Sequence, residues 1–228
     1  MDGLGKNENR IFLKVSDGQI TMNVKEGTPD AKSRVWEDKT YWYLGFNNVH
    51  GLITSIKKNS YEKDSKSFDS LHIYIDKGNG RYILSMPYSS SVARNFYNKM
   101  ELIDYSKEVV ISASLDNNGY SQIFIQQNDV WLKNKYSKDN PGEKPMWNRV
   151  IVNGKDIWDR TDELAYFQNI IDAVILPQIE AAKSNNPARD ALINEGNGIE
   201  KTKSNTDDSF PTHEPANLDK SADDDVPF

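Results

Sequence analysis

Twenty-two of the chain's 24 aromatic residues precede Lys183, and only Phe210 and Phe228 follow it. Aromatic and branched aliphatic side chains supply most of the area a core can bury, so a folded body must be built from residues 1–182. From Lys183 the chain runs through Ser-Asn-Asn-Pro, Gly196 and Gly198 into a polar stretch containing Pro211 and Pro215. Such a segment cannot offset its own chain entropy, which predicts disorder over 183–228 with one short helix around 190–194.

Charge divides at the same place. The chain carries −6 overall, and residues 183–228 hold ten acidic against five basic side chains, leaving 23 basic and 24 acidic groups in the body. The absence of cysteine removes thiol nucleophiles, disulfides and Cys-type zinc sites, and suits a reducing compartment. His50, His72 and His213 are far apart in sequence, so a metal cage would be short of ligands, and neither metal nor other cofactor is expected. No stretch approaches the roughly 18 apolar residues of a membrane span, and Met1–Arg10 lacks the apolar centre of a signal peptide. The expectation is a soluble, intracellular chain with no membrane partner.

The body reads as strands first and a helix late. Residues 10–15 and 19–24 alternate around Ser16-Asp17-Gly18, a small hairpin. Thr40–Ile56 reads as one long strand, bent or bulged by Gly45-Phe46-Asn47-Asn48 and Gly51. Strands over 71–75 and 81–86 flank Lys77-Gly78-Asn79-Gly80, a strong turn signal. Ser89-Ser90-Ser91 opens a helix whose stripe is Val92, Phe96 and Met100, and a last hairpin over 108–115 and 120–127 turns at Asn118-Gly119. A strand pair is expected around Asn153-Gly154. A helix from Thr161 carries Leu164, Phe167, Ile171, Val174 and Ile175 on one stripe, to be kinked or ended by Pro177, and packs on the body or on a second subunit of a homo-oligomer.

From 40 to 127 the order is bent strand, two strands, helix, two strands. It resembles an OB-fold, a five-stranded, partly open barrel that binds oligonucleotides on its second and third strands and on the loops joining strands one to two and four to five. Other five-stranded topologies share the order. The expected fold is thus mainly β: a barrel at about 40–127 with an N-terminal hairpin extension, one helix between strands three and four, an added C-terminal helix and an acidic tail.

Catalytic constellations are scarce: no phosphate-cradling glycine loop, no nucleophile elbow and no His-Glu-x-x-His is present. Asp156, Asp159 and Asp162 are spaced as loop cation ligands but read better as solvated turn residues. Binding chemistry is richer, because a single strand of nucleic acid offers flat bases and a phosphate chain that call for rings and cations along one surface. Lys57, Lys58, Tyr61, Lys63, Lys66 and Phe68 interleave between the first two barrel strands. Trp131, Lys133, Lys135, Tyr136, Lys138, Lys144, Trp147 and Arg149 do so after the last. If Leu71, Ile73 and Ile75 point inward, His72 and Tyr74 point outward, and Tyr120, Gln122 and Phe124 oppose Ile123 and Ile125 in the same way. Tyr82 fits either face, and Tyr41, Trp42 and Tyr43 cannot share one. The binding candidates are Trp42, Lys57, Lys58, Tyr61, Tyr74, Arg81, Tyr82, Tyr120, Phe124, Trp131, Lys133 and Lys135. Each is also an ordinary sheet or loop residue.

The chain closes on Asp223-Asp224-Asp225-Val226-Pro227-Phe228. This tip resembles that of bacterial and bacteriophage single-stranded-DNA-binding proteins, in which acidic residues precede an aliphatic residue, Pro and a terminal Phe. The connector lacks the Gly and Gln richness of many bacterial members and Val226 stands where Ile is typical, which favours a phage-type relative. The resemblance implies a non-enzymatic protein that coats and protects single-stranded DNA in the bacterial cytoplasm. It also implies that residues 223–228 recruit replication, recombination and repair proteins such as a polymerase, a helicase or primase, or a nuclease. A strand-annealing or recombination-mediator protein is the alternative reading.

Overall fold

The computed structural model describes residues 10–185 apart from 37, 64, 79, 138–139 and 153–154, and the chain there is mainly β. The helix expected around 190–194 and the acidic tip lie outside the described residues.

Strands β1 (Ile11–Ser16) and β2 (Gln19–Val24) form the predicted hairpin, turned by Asp17 (φ 52°) and Gly18 (φ 69°). Two consecutive left-handed residues are what the twist-matched two-residue hairpin turn requires. The expected long strand is two, β4 (Lys39–Phe46) and β5 (Asn48–Lys63), and a further strand β3 (Lys32–Trp36) pairs with β4. No alternation announces β3, because all five of its residues are exposed. Strands β6 (Lys66–Lys77) and β7 (Gly80–Pro87), helix α1 (Ser91–Tyr97), and strands β8 (Val109–Leu115) and β9 (Ser121–Gln127) follow in the predicted order. Ser90 caps α1 by accepting the Ala93 N–H at 3.2 Å. A short β10 (Val130–Trp131) pairs with β9, and β11 (Asn148–Val152) with β12 (Lys155–Asp159) makes a separate two-stranded sheet.

The main sheet has ten strands in the order β10-β9-β8-β5-β6-β7-β1-β2-β4-β3. Among the described residues no ladder closes it into the expected five-stranded barrel. The N-terminal hairpin is no appendage either: β1 lies parallel to β7, from Ile11 opposite Tyr82 to Lys14 opposite Ser85. The sheet nevertheless curls. The Gly18 N–H donates to Ser121 Oγ at 3.0 Å, and a Cβ on Gly18 would stand 2.7 Å from the Leu115 nitrogen, so the first hairpin's turn rests against β8 and β9.

The curl depends on β5 changing partners. Asn48–Gly51 pair with β8 and Leu52–Lys63 with β6, with a bulge between Ile53 and Ser55. At the change-over a Cβ on Gly51 would sit 2.6 Å from the Asp76 carbonyl oxygen, so only glycine permits the crossing. The segment Lys57–Phe68, read from sequence as a loop cluster, is ladder almost throughout, ending in Lys63 opposite Lys66.

The inner face holds the core: Leu13, Ile20, Ile56, Leu71, Ile73, Leu84, Ile111 and Ile125 pack around Phe96 of α1. Helices α2 (Thr161–Ile170) and α3 (Leu176–Ser184), joined by a π-helical turn at Ile171–Ile175, add Phe167, Ile171, Ile175 and Ile179 to it. Pro177 does not end this helix. The wider turn just ahead of it absorbs the hydrogen bond that proline cannot donate. The ring of Phe167 stacks on Tyr97 at 4.9 Å. No helix of the described residues is long and apolar enough to cross a membrane.

Candidate nucleic-acid interface

With the core on one side, ladder register fixes what the other side presents. Lys57 is opposite His72, His72 opposite Ser85, and Ser85 opposite Lys14, one row across β5, β6, β7 and β1. The next row is Ser55, Tyr74, Ile83 and Phe12, and beyond it Arg81 faces Asp76 while Arg10 precedes β1. In the other direction Asn59 opposes Ser70, and Tyr61 stacks on Phe68 with centroids 5.3 Å apart. Rows two residues apart along a strand are about 6.6 Å apart. The rings Phe68, His72 and Tyr74 therefore share one face of β6, interrupted by Ser70; Lys57 and Lys14 end the His72 row, and the two central rows contain no carboxylate.

These groups contact one another. His72 stands edge-on to Phe12 at 6.3 Å and to Tyr74 at 6.4 Å. The Arg10 guanidinium lies 4.8 Å and the Lys57 ammonium 5.6 Å from the centre of the Tyr74 ring. Phe12, 52% exposed, is the more open platform. Burial holds the His72 imidazole below its ordinary pKa, so it is neutral at pH 7 in the free protein. Burial first, and the nearby Arg34 charge second, pull Lys14 below the usual lysine range. Further along the same face Arg34 donates to Ser16 Oγ at 2.7 Å and lies 5.8 Å from the Tyr43 ring.

The predicted residues divide. Lys57, Tyr61, Tyr74 and Arg81 share this outer face. Phe124 and Trp131, edge to face at 6.1 Å, lie on its continuation, since Phe124 opposes Ser112 and Ser112 opposes Asn48. Tyr120 is exposed just before β9, and Lys133 is exposed beyond β10. Four candidates belong elsewhere. Trp42 and Tyr82 lie on the inner side, in register with Val24 and Ile75. Lys58 opposes Leu71 on that side and is held by Asp69 at 2.7 Å, whose carboxyl is kept below the usual range by that bond and by Ser60. Lys135 bonds Glu101 at 2.5 Å against α1's trailing turn, and the Trp147 ring lies between the guanidinium groups of Arg94 and Arg160, at 4.6 and 4.8 Å. The cluster that follows β9 is thus partly structural.

Arg10, Phe12, Lys14 and His72 were not among the predicted site residues. The signal is in the sequence: Arg10, Phe12 and Lys14 alternate with Ile11, Leu13 and Val15, one polar-aromatic face against one aliphatic face. Among the described residues no group of three or more His, Asp and Glu is arranged to hold a metal ion. Asp159 instead accepts the Thr161 N–H at 2.9 Å at the start of α2, and Asp156 pairs with Arg149. Residues 223–228 lie outside the described residues. No protein-family model, curated protein or solved structure matches the chain.

Proposed function

We propose that the protein binds single-stranded DNA along the outer face of β5, β6, β7 and β1, stacking bases on exposed rings and neutralising phosphates with lysine and arginine. The observation that carries this reading is the pair of rows Lys57–His72–Ser85–Lys14 and Ser55–Tyr74–Ile83–Phe12: rings and cations without an acidic group, on the face opposite the main core, with Lys57 and Phe12 exposed, Ile83 buried and the others half-buried. No base-reading pattern is evident, which suits sequence-tolerant stacking. The ladder partners support an open relative of the OB-fold. Strands β5, β6 and β7, then α1, then β8 and β9 follow that fold's order, with β5 paired to both β6 and β8. On this reading β1 occupies the edge of β7 along which such a barrel would close.

The terminal Asp-Asp-Asp-Val-Pro-Phe supports a second role, recruitment of replication and recombination enzymes. A ring and a chain-terminal carboxylate on one residue fit an apolar pocket rimmed by basic side chains on the partner.

Titration with poly-dT and with duplex DNA, followed by intrinsic fluorescence and repeated across salt concentrations, tests the binding role. The expected result is preference for the single strand and a log-log salt slope of about 0.7 per phosphate contacted. Equal affinity for duplex, or binding indifferent to salt, overturns it.

A further inference from the structure

Residues of β1, β2, β4, β5, β6 and β7 line a cavity of about 370 Å³ on the inner side of the curled sheet. Leu13, Ile20 and Val49, all buried, form its floor. Ile11 and Phe46, 38% and 39% exposed, stand at its mouth with the Tyr82 ring and Lys77. The Lys77 ammonium donates to Nδ1 of His50, and the other nitrogen of that imidazole bonds Glu108 at 2.5 Å, so the carboxylate sits across the ring from the cation. An apolar chamber with two rings and one ammonium at its entrance is in the size range of small-ligand sites, which favour the mouths of barrel-like sheets.

We infer that this cavity receives one unstacked nucleobase of a bound strand, with Lys77 meeting the adjoining phosphate. The inference rests on the proposed DNA-binding role and adds to it a site distinct from the stacking face. Continuity of the two surfaces is the argument. Ile11 and Tyr82 line the cavity, and the residues beside them, Arg10 and Arg81, stand at the end of the outer rows. A strand following β6 past Phe68, His72 and Tyr74 comes to Arg81 and Arg10 and, one step over the strand ends, to Lys77 and the opening. A flat apolar ring attached to an anion matches what the chamber offers. An aliphatic ligand would bring no anion to the ammonium, which among the described residues is bonded to neutral His50 alone, and a duplex would keep its bases out of reach.

The test compares the full chain with Ile11→Trp, which fills the mouth from a half-exposed position, and Phe46→Ala, which removes one ring, once circular dichroism shows both variants folded. Probes are thymidine 5′-monophosphate and an oligo-dT of about 12 nucleotides carrying a single abasic sugar placed at each position in turn. Expected are measurable nucleotide binding lost in Ile11→Trp, about a tenfold loss of oligo-dT affinity in both variants with the salt slope unchanged, and one abasic position costing far more than the others. Unaltered oligo-dT affinity in both variants, or equal cost at every abasic position, overturns the inference while leaving the DNA-binding role intact. Failure of the unsubstituted chain to bind oligo-dT defeats that role itself. Displacement of the nucleotide by the free hexapeptide Asp-Asp-Asp-Val-Pro-Phe but not by oligo-dT assigns the cavity to the chain's own terminus and likewise overturns the inference.

Discussion

Phe12 and His72, sixty residues apart in the chain, meet edge to face at 6.3 Å on the outer surface of the sheet, reaching over the strand that separates them. The contact ties the N-terminal hairpin to the central strands, and it leaves half of the phenylalanine ring open to solvent.

Removing that ring should therefore hurt binding more than folding. Phe12→Ala is expected to weaken oligo-dT affinity about tenfold, within the roughly 1–3 kcal/mol attributed to a stacked base, and to change unfolding free energy by less than about 1 kcal/mol. Parallel binding titrations and urea melts measure both.

His72 should make binding pH-dependent. Its folded pKa lies below the ordinary 6.5 because burial disfavours the charged ring. Between these two values the unfolded chain holds more protons, so stability of the free protein falls as pH drops below about 6.5. A phosphate beside the ring favours the imidazolium, and so affinity should rise over the same interval. His72→Gln should flatten both trends, read by DNA titrations and thermal melts from pH 7.5 down to 5.5.

Glu163 anchors the C-terminal helix. Its fully buried carboxylate takes Lys144 and Arg160 at 2.9 Å each. Burial alone would raise its pKa, but Arg160 and Lys144 together hold it below the ordinary 4.5. Its stabilising contribution is complete above about pH 4.5 and disappears as pH falls through the folded value. Glu163→Ala strands two cations and should cost about 3–5 kcal/mol in denaturant unfolding, with a smaller acid-side loss than the parent shows.

Gly51→Ala tests the partner switch of β5. The added methyl meets the Asp76 carbonyl at 2.6 Å, and backbone can yield only by shifting the β5–β6 ladder. A loss of about 1–3 kcal/mol is expected, visible as a lower urea midpoint.

Deleting residues 219–228 removes four of the chain's aspartates along with Phe228. It should tighten oligo-dT binding at low salt and abolish capture of replication enzymes. Unchanged low-salt affinity would mean the acidic end does not compete with DNA.

Strands and turns were legible because their signals are local. Period-two alternation marked β6 and β9, the glycine turn before Arg81 marked β7, Asp17-Gly18 marked the first turn, and the serine cap marked α1. Partnership is not local. Nothing in Ile11–Ser16 says that it will lie parallel to Tyr82–Ser85, and a hairpin outside the expected barrel gives no reason to count Arg10, Phe12 and Lys14 in the site. The same blindness put Trp42 and Tyr82 among the binding candidates: Tyr41, Trp42 and Tyr43 put rings on both faces of β4, and Ile83 is as apolar as Tyr82 and Leu84, so neither strand says which face is inward. Lys58 and Lys135 looked like free cations because Asp69 and Glu101, which hold them, are brought up only by tertiary packing.

The parallel seam between β1 and β7 also sets when the surface comes into being. On the ribosome the first hairpin must wait, unseamed, until about sixty further residues, from Val24 to Ser85, have been synthesised, and closing so long a loop is slow. A nascent or half-folded molecule consequently owns neither the Phe12–His72 junction nor the unbroken row from Lys57 through His72 and Ser85 to Lys14.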